Sequence, residues 1–196
     1  WTLCTGGVNL DRRLEESLEY ISHAAGCIVQ CNDAKEAAIA TGAINVHLIP
    51  NGVDTKHFIR YRSRRSSMNI DVGFAGNDAG DRMDLKGSDL VRKAAQAIGM
   101  SYDCATKTNR LTYDEMPGFY NSLSIYAQPS AAEGCSNSVM EAMACGLPCL
   151  IVKGVGYHGE TCNDRQVIFV ERTVESVANG LVRALNFDIR PARQFA

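Results

Sequence analysis

Short apolar segments alternate along the chain with segments in which apolar residues recur at helical spacing. The apolar segments are predicted to be β-strands because they are brief, rich in branched residues and bounded by turn-forming residues. The predicted strands cover residues 26–30, 46–49, 70–75, 101–105, 123–128, 149–152 and 167–170. The predicted helices cover residues 10–22, 33–40, 88–98, 115–122, 138–145 and 174–186. This alternation is typical of an α/β fold with a doubly wound parallel sheet.

The helix predicted at residues 138–145 has signals at both ends. Ser138 and Glu141 have the spacing of a capping box, in which two side chains bond to the free amides of the first turn. Gly146 can adopt the left-handed conformation that ends a helix, and Pro148 cannot continue one. Residues 129–137 therefore form a loop between the carboxyl end of a strand and the N-terminus of a helix. Open parallel sheets bind ligands at such places.

Composition and charge exclude several classes of function. The 196 residues are 45% hydrophobic and 21% charged, as in ordinary globular domains. The formal net charge of -2 gives no global field that would attract nucleic acid or an anionic membrane. The sequence has neither an apolar segment long enough to cross a bilayer nor a signal-peptide pattern, so we expect a soluble, cytoplasmic protein.

Eight cysteines and four histidines are scattered along the chain. They form no C-x-x-C pair and no H-E-x-x-H motif, so their spacing gives no support for a zinc site. We expect the cysteines to be free thiols that pack as small hydrophobic side chains. The sequence therefore predicts no metal and no resident cofactor.

Gly154, Gly156 and Gly159 match the G-x-G-x-x-G pattern of dinucleotide-binding sites. In that motif a helix begins at the third glycine, and its N-terminus faces the pyrophosphate. The next strand is predicted to begin near Val167, which leaves too few residues for a helix and its two turns. We therefore expect no nicotinamide or flavin site. P-loop and nucleophile-elbow motifs do not occur in the sequence either.

Two carboxylates, Glu133 and Glu141, are separated by seven residues and flank the junction between the loop and the helix. Gly134 lets a ligand approach the backbone, and the free amides of the first helical turn suit a phosphate group. Those amides belong to Ser136, Asn137, Ser138 and Val139. Because carboxylates repel phosphate, we expect them to accept hydrogen bonds from hydroxyl groups. The junction predicts a ligand that combines sugar and phosphate.

The same stretch resembles the Glu-x7-Glu signature of the retaining group 1 glycosyltransferases, E-G-[FC]-x5-E-A-M-A-x-G-x-P. Residues 133–148 read E-G-C-S-N-S-V-M-E-A-M-A-C-G-L-P and agree with it in spacing, glycines and proline. Further matches follow in the family's order and bring the similarity to about residues 20–185. They lie at residues 49–54 with Phe58, 72–76, 86–87, 119–122, 125–130 and 154–156 with Glu160.

The resemblance implies a GT-B architecture, in which two Rossmann-like domains face each other across a cleft. Residues 1–54 would be the last βα unit of the N-terminal domain and the crossover, and residues 55–196 a Rossmann-like donor-binding domain. The implied ligand is a nucleoside-diphosphate sugar, bound without a metal. The acceptor would be a glycan, a lipid or a small molecule, bound through the rest of the N-terminal domain. Peripheral membrane contact through that domain is compatible with this scheme, and a nucleic-acid partner is not expected.

The resemblance also implies roles for individual residues. Glu133 would contact sugar hydroxyls near the reacting centre, and Glu141 would hold the ribose of the nucleotide. Lys86 would contact the diphosphate, together with the backbone at Gly76 and Asn77 and the amides that follow Glu133.

One position departs from the family pattern. The family usually has arginine directly after the glycine that ends the first strand of this domain, and here Asn77 follows Gly76. One of two cations on the diphosphate is therefore absent, unless Arg82 folds back to replace it. Removal of one such group typically costs about 100-fold to 1000-fold in rate, because fixed donors stabilise the leaving group.

Three functions are compatible with these features. The first is the donor-binding half of a retaining glycosyltransferase, which on its own would bind donor or nucleotide weakly and transfer sugar poorly. The second is a non-catalytic sugar-nucleotide binding or interaction module, suggested by the absent arginine and the short length. The third is a GT-B nucleotide-sugar epimerase, which would act on the donor without an acceptor. The E-A-M-A-x-G-x-P context favours the first.

Overall fold

The computed structural model describes residues 20–21, 23–60, 70–77 and 82–190. The described strands are β1 (Cys27–Val29), β2 (Val46–Leu48), β3 (Ile70–Gly76), β4 (Tyr102–Thr106), β5 (Leu123–Gln128), β6 (Cys149–Val152) and β7 (Ile168–Val170). The helices are α1 (Asn32–Ala40), α2 (Arg82–Lys86), α3 (Ser88–Ala97), α4 (Met116–Ser122), α5 (Asn137–Ala144), α6 (Gly156–Thr161) and α7 (Val174–Ala184). Most of the helix predicted at residues 10–22 lies outside the described residues.

The larger sheet contains five parallel strands in the order β4-β3-β5-β6-β7. From β3 the chain adds β4 on one side, and it then adds β5, β6 and β7 on the other. The direction of strand addition therefore reverses between β3 and β5. The connections on the two sides of such a reversal leave in opposite directions, so a crevice opens at the carboxyl ends of these two strands. Those ends are Gly76 and Gln128.

Helices cover both faces of the larger sheet. On one face, α3 and α7 pack over side chains that include Val72 and Leu150. On the other face, α4 and α5 pack over side chains that include Tyr126 and Ile151. Successive strand residues point to opposite faces, which is why Leu150 and Ile151 belong to different cores. The predicted fold class, a Rossmann-like α/β fold with a doubly wound parallel sheet, is confirmed.

β1 and β2 form a separate parallel pair, which packs with α1 into a small unit around Val29 and Ala38. Glu160, at the end of α6, connects this unit to the larger one. Its carboxylate accepts hydrogen bonds from the amides of Asn32 at 2.8 Å and Asp33 at 3.2 Å, in the first turn of α1. A carboxylate is favourable there because the N-terminus of a helix carries a partial positive charge. The division at residues 54 and 55 stays a prediction.

The observed strands agree with the predicted ones to within one residue at each end, and the five predicted helices that lie within the described residues agree to within two. The two short helices α2 and α6 were not predicted. As expected, no helix begins at Gly159; α6 begins instead at Gly156 and ends at Thr161.

The glycines of the G-x-G-x-x-G pattern permit close packing of α6. Gly156 has a φ of +62°, and a Cβ there would lie 2.7 Å from the Gly134 carbonyl oxygen. A Cβ at Gly159 would lie 2.6 Å from the carbonyl oxygen of Val152, in β6. The helix begins at the second glycine of the pattern, rather than the third, and rests directly on the loop that follows Glu133.

The cap of α5 also differs from the prediction. Ser136 is the N-cap residue, and its hydroxyl accepts a hydrogen bond from the Val139 amide at 3.4 Å. The predicted capping box is wrong, because the Ser138 hydroxyl donates to Gln128 and the Glu141 carboxylate is bonded to a side chain of α4. The helix therefore begins one residue earlier than predicted.

The predicted end of α5 is confirmed. Gly146 has a φ of +73° and its amide bonds to the Met143 carbonyl, while the Leu147 amide bonds to the Ala142 carbonyl. These two bonds form the Schellman motif that glycine permits.

All seven cysteines in the described part of the chain are free thiols, and five of them are buried. Cys145, Cys149 and Cys162 lie in the core under α4 and α5, where they pack as small hydrophobic side chains, as predicted. Among the helices described above, none is long and apolar enough to cross a membrane.

Candidate functional site

Lys86 and Glu133 meet where the order of strand addition reverses. Lys86 ends α2, which follows β3, and Glu133 lies in the loop between β5 and α5. The distance from Lys86 Nζ to Glu133 Oε1 is 2.6 Å, and the two side chains are 16% and 14% exposed. Two side chains that are 47 residues apart in the sequence therefore form a largely buried ion pair at the carboxyl edge of the sheet.

The backbone around this ion pair is joined at close range. The amide of Ala131 donates to the carbonyl of Leu85 at 2.8 Å. Gly87 has a φ of +76°, and a Cβ there would lie 2.8 Å from the Pro129 carbonyl oxygen. Glycine directly after Lys86 is therefore needed both for the backbone conformation and for the approach of the two segments.

The carboxylate of Glu133 is oriented by three donors on one oxygen. Oε1 accepts hydrogen bonds from Lys86 Nζ at 2.6 Å, Gln128 Nε2 at 2.5 Å and Ser130 Oγ at 2.8 Å. Gln128 and Ser130 are buried. Because buried donors cannot exchange freely with water, they fix the direction of the carboxylate.

Gln128 connects Glu133 to the start of α5. Its side-chain oxygen accepts hydrogen bonds from Ser138 Oγ at 2.7 Å, Ser136 Oγ at 3.1 Å and the Tyr126 hydroxyl at 2.7 Å. Sequence reasoning missed Gln128 as a site residue. The available signal was a polar residue that ends an otherwise apolar strand at the ligand-binding edge of the sheet.

Glu141 has a different partner from Glu133. Its Oε2 accepts a hydrogen bond of 2.7 Å from the hydroxyl of Tyr120, which is completely buried. Burial raises the pKa of Glu141, while the Tyr120 hydroxyl and the nearby His57 oppose that rise. The Tyr120 ring packs against the ring of Tyr126 at 5.7 Å, and Tyr126 is bonded to Gln128. The two predicted acids therefore lie at the two ends of one buried network.

An aromatic pair that sequence reasoning missed lies near Glu141. Desolvation raises the pKa of Tyr113 and the charge of Glu141 contributes to that rise, while His57 lowers the pKa of Glu141. The rings of His57 and Tyr113 are stacked, with centroids 4.4 Å apart and planes inclined by 4°. Tyr113 is 56% exposed. The exposed ring adds a flat surface near the second acid.

Asn51 holds the loop at residues 133–137 from the side of the small unit. Its Nδ2 donates to the Cys135 carbonyl at 3.1 Å and to Asn137 Oδ1 at 2.7 Å. Its Oδ1 accepts a hydrogen bond of 2.5 Å from Gln30 Nε2. The Gly134 carbonyl accepts a hydrogen bond of 2.7 Å from the amide of Tyr157, in α6. The loop that carries Glu133 is thus fixed by segments from both units.

The remaining predicted site residues lie at the same edge of the sheet. Gly76 and Asn77, at the end of β3, are half-buried, whereas Asn137 is exposed. The Val139 amide is bonded to the Ser136 hydroxyl, so the helix cap competes for the last of the four amides that were predicted to bind phosphate. The side chain of Arg82, the candidate substitute cation, lies outside the described residues.

A small pocket is lined by Glu133 and, from α6, by His158. His158 is 3% exposed, and burial lowers its pKa to about 4, so its imidazole is neutral at neutral pH. In residues 23–60, 70–77 and 82–190, no three His, Cys, Asp or Glu side chains form a group that could hold a metal ion.

The sequence identifies the family to which this chain belongs. Residues 61–186, well over half of the chain, match the model of the family described as Glycosyl transferases group 1. The chain is therefore a member of the group 1 glycosyltransferase family. Among curated proteins, no sequence matches this chain significantly.

Solved structures share the fold at low sequence identity. Sucrose-phosphate synthase from Thermosynechococcus elongatus has a TM-score of 0.71 and 20% identity, over 93% of this chain and 54% of that one. S. aureus TarM, solved with fondaparinux, alpha-GlcNAc-glycerol and UDP, has a TM-score of 0.70 and 14% identity, over 98% of this chain and 44% of the TarM chain. Anabaena HepE, solved with UDP-glucose, has a TM-score of 0.64 and 15% identity, over 94% of this chain and 66% of the HepE chain. This chain spans about half the length of the first two.

Proposed function

We propose that this chain is the donor-binding part of a retaining glycosyltransferase that uses a nucleoside-diphosphate sugar. The observation that carries the proposal is the 2.6 Å contact between Lys86 Nζ and Glu133 Oε1, beside the N-terminus of α5. Membership of the group 1 family supports sugar transfer. The UDP-glucose bound to HepE and the UDP bound to TarM support a nucleotide-sugar donor.

The chemistry explains why a fixed lysine belongs at this place. Breaking the bond between the anomeric carbon and the diphosphate oxygen leaves negative charge on the departing diphosphate. Lys86 and the amides at the N-terminus of α5 would stabilise that charge without reorganising, because Glu133 and the loop already hold them in position. In this proposal these groups carry the diphosphate charge and no metal is required.

The two acids would bind the two sugars of the donor. Glu133 would accept hydrogen bonds from hydroxyls of the transferred sugar, since Gln128 and Ser130 fix the direction of its carboxylate. Glu141 would accept hydrogen bonds from the ribose. The retaining outcome rests on the resemblance of residues 133–148 to the family signature.

Calorimetric titration of the chain with UDP, GDP, ADP and their glucose conjugates tests the binding part of the proposal. We expect one nucleotide series to bind, and Lys86→Ala to weaken its binding by about tenfold or more, the effect of losing about 1.4 kcal/mol. Lys93→Ala is the matched control, because it removes the same charge from a side chain in α3 that is 56% exposed and pairs with Asp89. No binding by any nucleotide, or equal losses in the two variants, would contradict the proposal.

A second measurement separates catalysis from binding. Glu133→Gln should abolish release of the nucleoside diphosphate from the donor that binds, while the affinity for the free nucleotide changes little. NMR of the product should show the anomeric configuration of the donor. An inverted product would refute retention, and donor binding without turnover in a protein that joins this chain to an acceptor-binding domain would favour the binding-module alternative.

A further inference from the structure

Arg172 reaches both of the segments that carry the Lys86–Glu133 ion pair. It lies in the turn between β7 and α7. Its Nε donates to the Pro129 carbonyl at 2.9 Å, and its Nη2 donates to the Asp84 carbonyl. Pro129 begins the loop that leads to Glu133, and Asp84 lies in α2, two residues before Lys86. A single guanidinium group therefore bridges α2 and the Glu133 loop.

These contacts matter because α2 is short. A helix of five residues is not stable alone, and its last carbonyls have no partners within the helix. Here the Asp84 carbonyl is bonded to Arg172, and the Leu85 carbonyl is bonded to the Ala131 amide. The end of α2, and with it Lys86, is therefore placed by contacts with other parts of the chain.

We propose that Arg172 is a positioning residue that holds α2 against the Glu133 loop, so that Lys86 faces the diphosphate of the donor. The inference rests on the proposed function and deepens it. Arginine suits this role because its planar guanidinium group can donate to two separate carbonyls at once, whereas the ammonium group of lysine is a single point. Arg172 does not touch the donor in this scheme and acts through Lys86.

The neighbouring residues have structural roles that do not depend on Arg172. Thr173 caps α7 by accepting a hydrogen bond of 3.1 Å from the Ser176 amide, and Ser176 in turn accepts a bond from the Glu171 amide at 2.9 Å. Loss of the Arg172 side chain leaves these bonds in place. Its effect should therefore appear at Lys86 rather than in the overall stability.

Three variants test the inference. Arg172→Met keeps much of the side-chain length and removes all donors, and Arg172→Lys keeps the charge and loses the planar group. Arg183→Met is the matched control, because Arg183 also donates from an exposed position to one backbone carbonyl, that of Phe169, at 2.8 Å. The melting temperature of each variant should stay within about 2 °C of the wild type.

The first measurement is amine labelling of Lys86, quantified by mass spectrometry relative to Lys93. We expect labelling of Lys86 to rise about threefold or more in Arg172→Met, because the contact between α2 and the Glu133 loop opens locally. The rise should be smaller in Arg172→Lys. Arg183→Met should leave it unchanged. Unchanged labelling in Arg172→Met, or the same increase in Arg183→Met, would overturn the inference.

The second measurement is the affinity for UDP, or for whichever nucleoside diphosphate the wild type binds. Arg172→Met should weaken it about threefold to tenfold, because both hydrogen bonds through which Arg172 joins α2 to the Glu133 loop are lost. If Lys86 labelling rises in Arg172→Met but the wild type binds no nucleoside diphosphate, the bridging role of Arg172 stands and the proposed function fails. If the wild type binds and Arg172→Met binds equally well, the positioning role is refuted and the proposed function survives.

Discussion

Tyr120→Phe isolates the contribution of the second acid. The Tyr120 hydroxyl donates to Glu141 Oε2 at 2.7 Å, while the ring packs among Phe58, Phe119 and Tyr126. Phenylalanine keeps the ring, so the core remains filled and the change acts mainly on the carboxylate. This substitution therefore tests Glu141 without replacing it.

The size of the effect follows from the charge on the acceptor. A hydrogen bond to a charged group contributes about 1.5 to 3 kcal/mol, and this one stabilises the ionised form of Glu141. Burial already raises the pKa of Glu141, and the Tyr120 hydroxyl opposes that rise. In Tyr120→Phe the pKa of Glu141 therefore rises further, and the carboxylate takes up a proton at a higher pH than in the wild type.

Nucleotide affinity as a function of pH is the assay. A protonated Glu141 accepts fewer hydrogen bonds from ribose, so the affinity should fall as the pH is lowered through the raised pKa of Glu141. The fall should begin at higher pH in Tyr120→Phe. Titration of the nucleotide phosphates affects both proteins equally and cancels in the comparison. Tyr102→Phe, which removes the hydroxyl of a partly buried tyrosine packed against the core under α3 and α7, is the control.

Identical pH profiles for the wild type and Tyr120→Phe would refute this reasoning. They would show that the charge on Glu141 does not enter the binding equilibrium. If Tyr102→Phe shifted the pH profile of nucleotide affinity as much as Tyr120→Phe does, the shift would come from general destabilisation rather than from Glu141.

Two further predictions concern the loop and the pocket. Asn51→Asp removes the donor that holds the Cys135 carbonyl, so amide hydrogen exchange in residues 133–137 should accelerate. The control, Asn45→Asp, removes a similar bond of 2.9 Å to a backbone carbonyl and should leave that exchange unchanged. Equal acceleration in the two variants would contradict the role given to Asn51. Burial lowers the pKa of His158 to about 4, below its ordinary value of 6.5. Between these pH values the unfolded state binds more protons than the folded state. The free energy of unfolding should therefore fall by about 3 kcal/mol as the pH drops from the upper value to the lower one. Denaturant unfolding should show a shallower fall in His158→Phe than in the exposed control His47→Gln, and the same slope in both would exclude this origin.

The strands were predictable because each combines a local pattern with clear boundaries. The run that forms β5 is apolar, is preceded by a helix and is followed by proline, and its bounds were predicted without error. The end of α5 was equally clear, since Gly146 and Pro148 act through their own backbone geometry. These features depend on a few neighbouring residues, which the sequence displays directly.

The errors have the opposite origin. The start of α6 is set by the contact of Gly156 with Gly134, which lies 22 residues earlier, so no local pattern indicated this helix and it was not predicted. Gln128 and Arg172 were missed because their roles come from partners in other segments. Lys86 was found through the resemblance to a family, whereas Glu133 was indicated first by its place in the loop before α5 and then by that resemblance.

The side-chain amide of Gln128 has a direction that limits which residues can occupy its position. Its oxygen receives three hydroxyl donors and its nitrogen faces Glu133, so the two ends cannot be exchanged. Glutamate here would bring two carboxylates within hydrogen-bonding distance, and one of them would have to retain a proton. Leucine would deprive both Glu133 and the hydroxyls of a buried partner. A homologue without glutamine at this point would need other donors to orient its first signature glutamate.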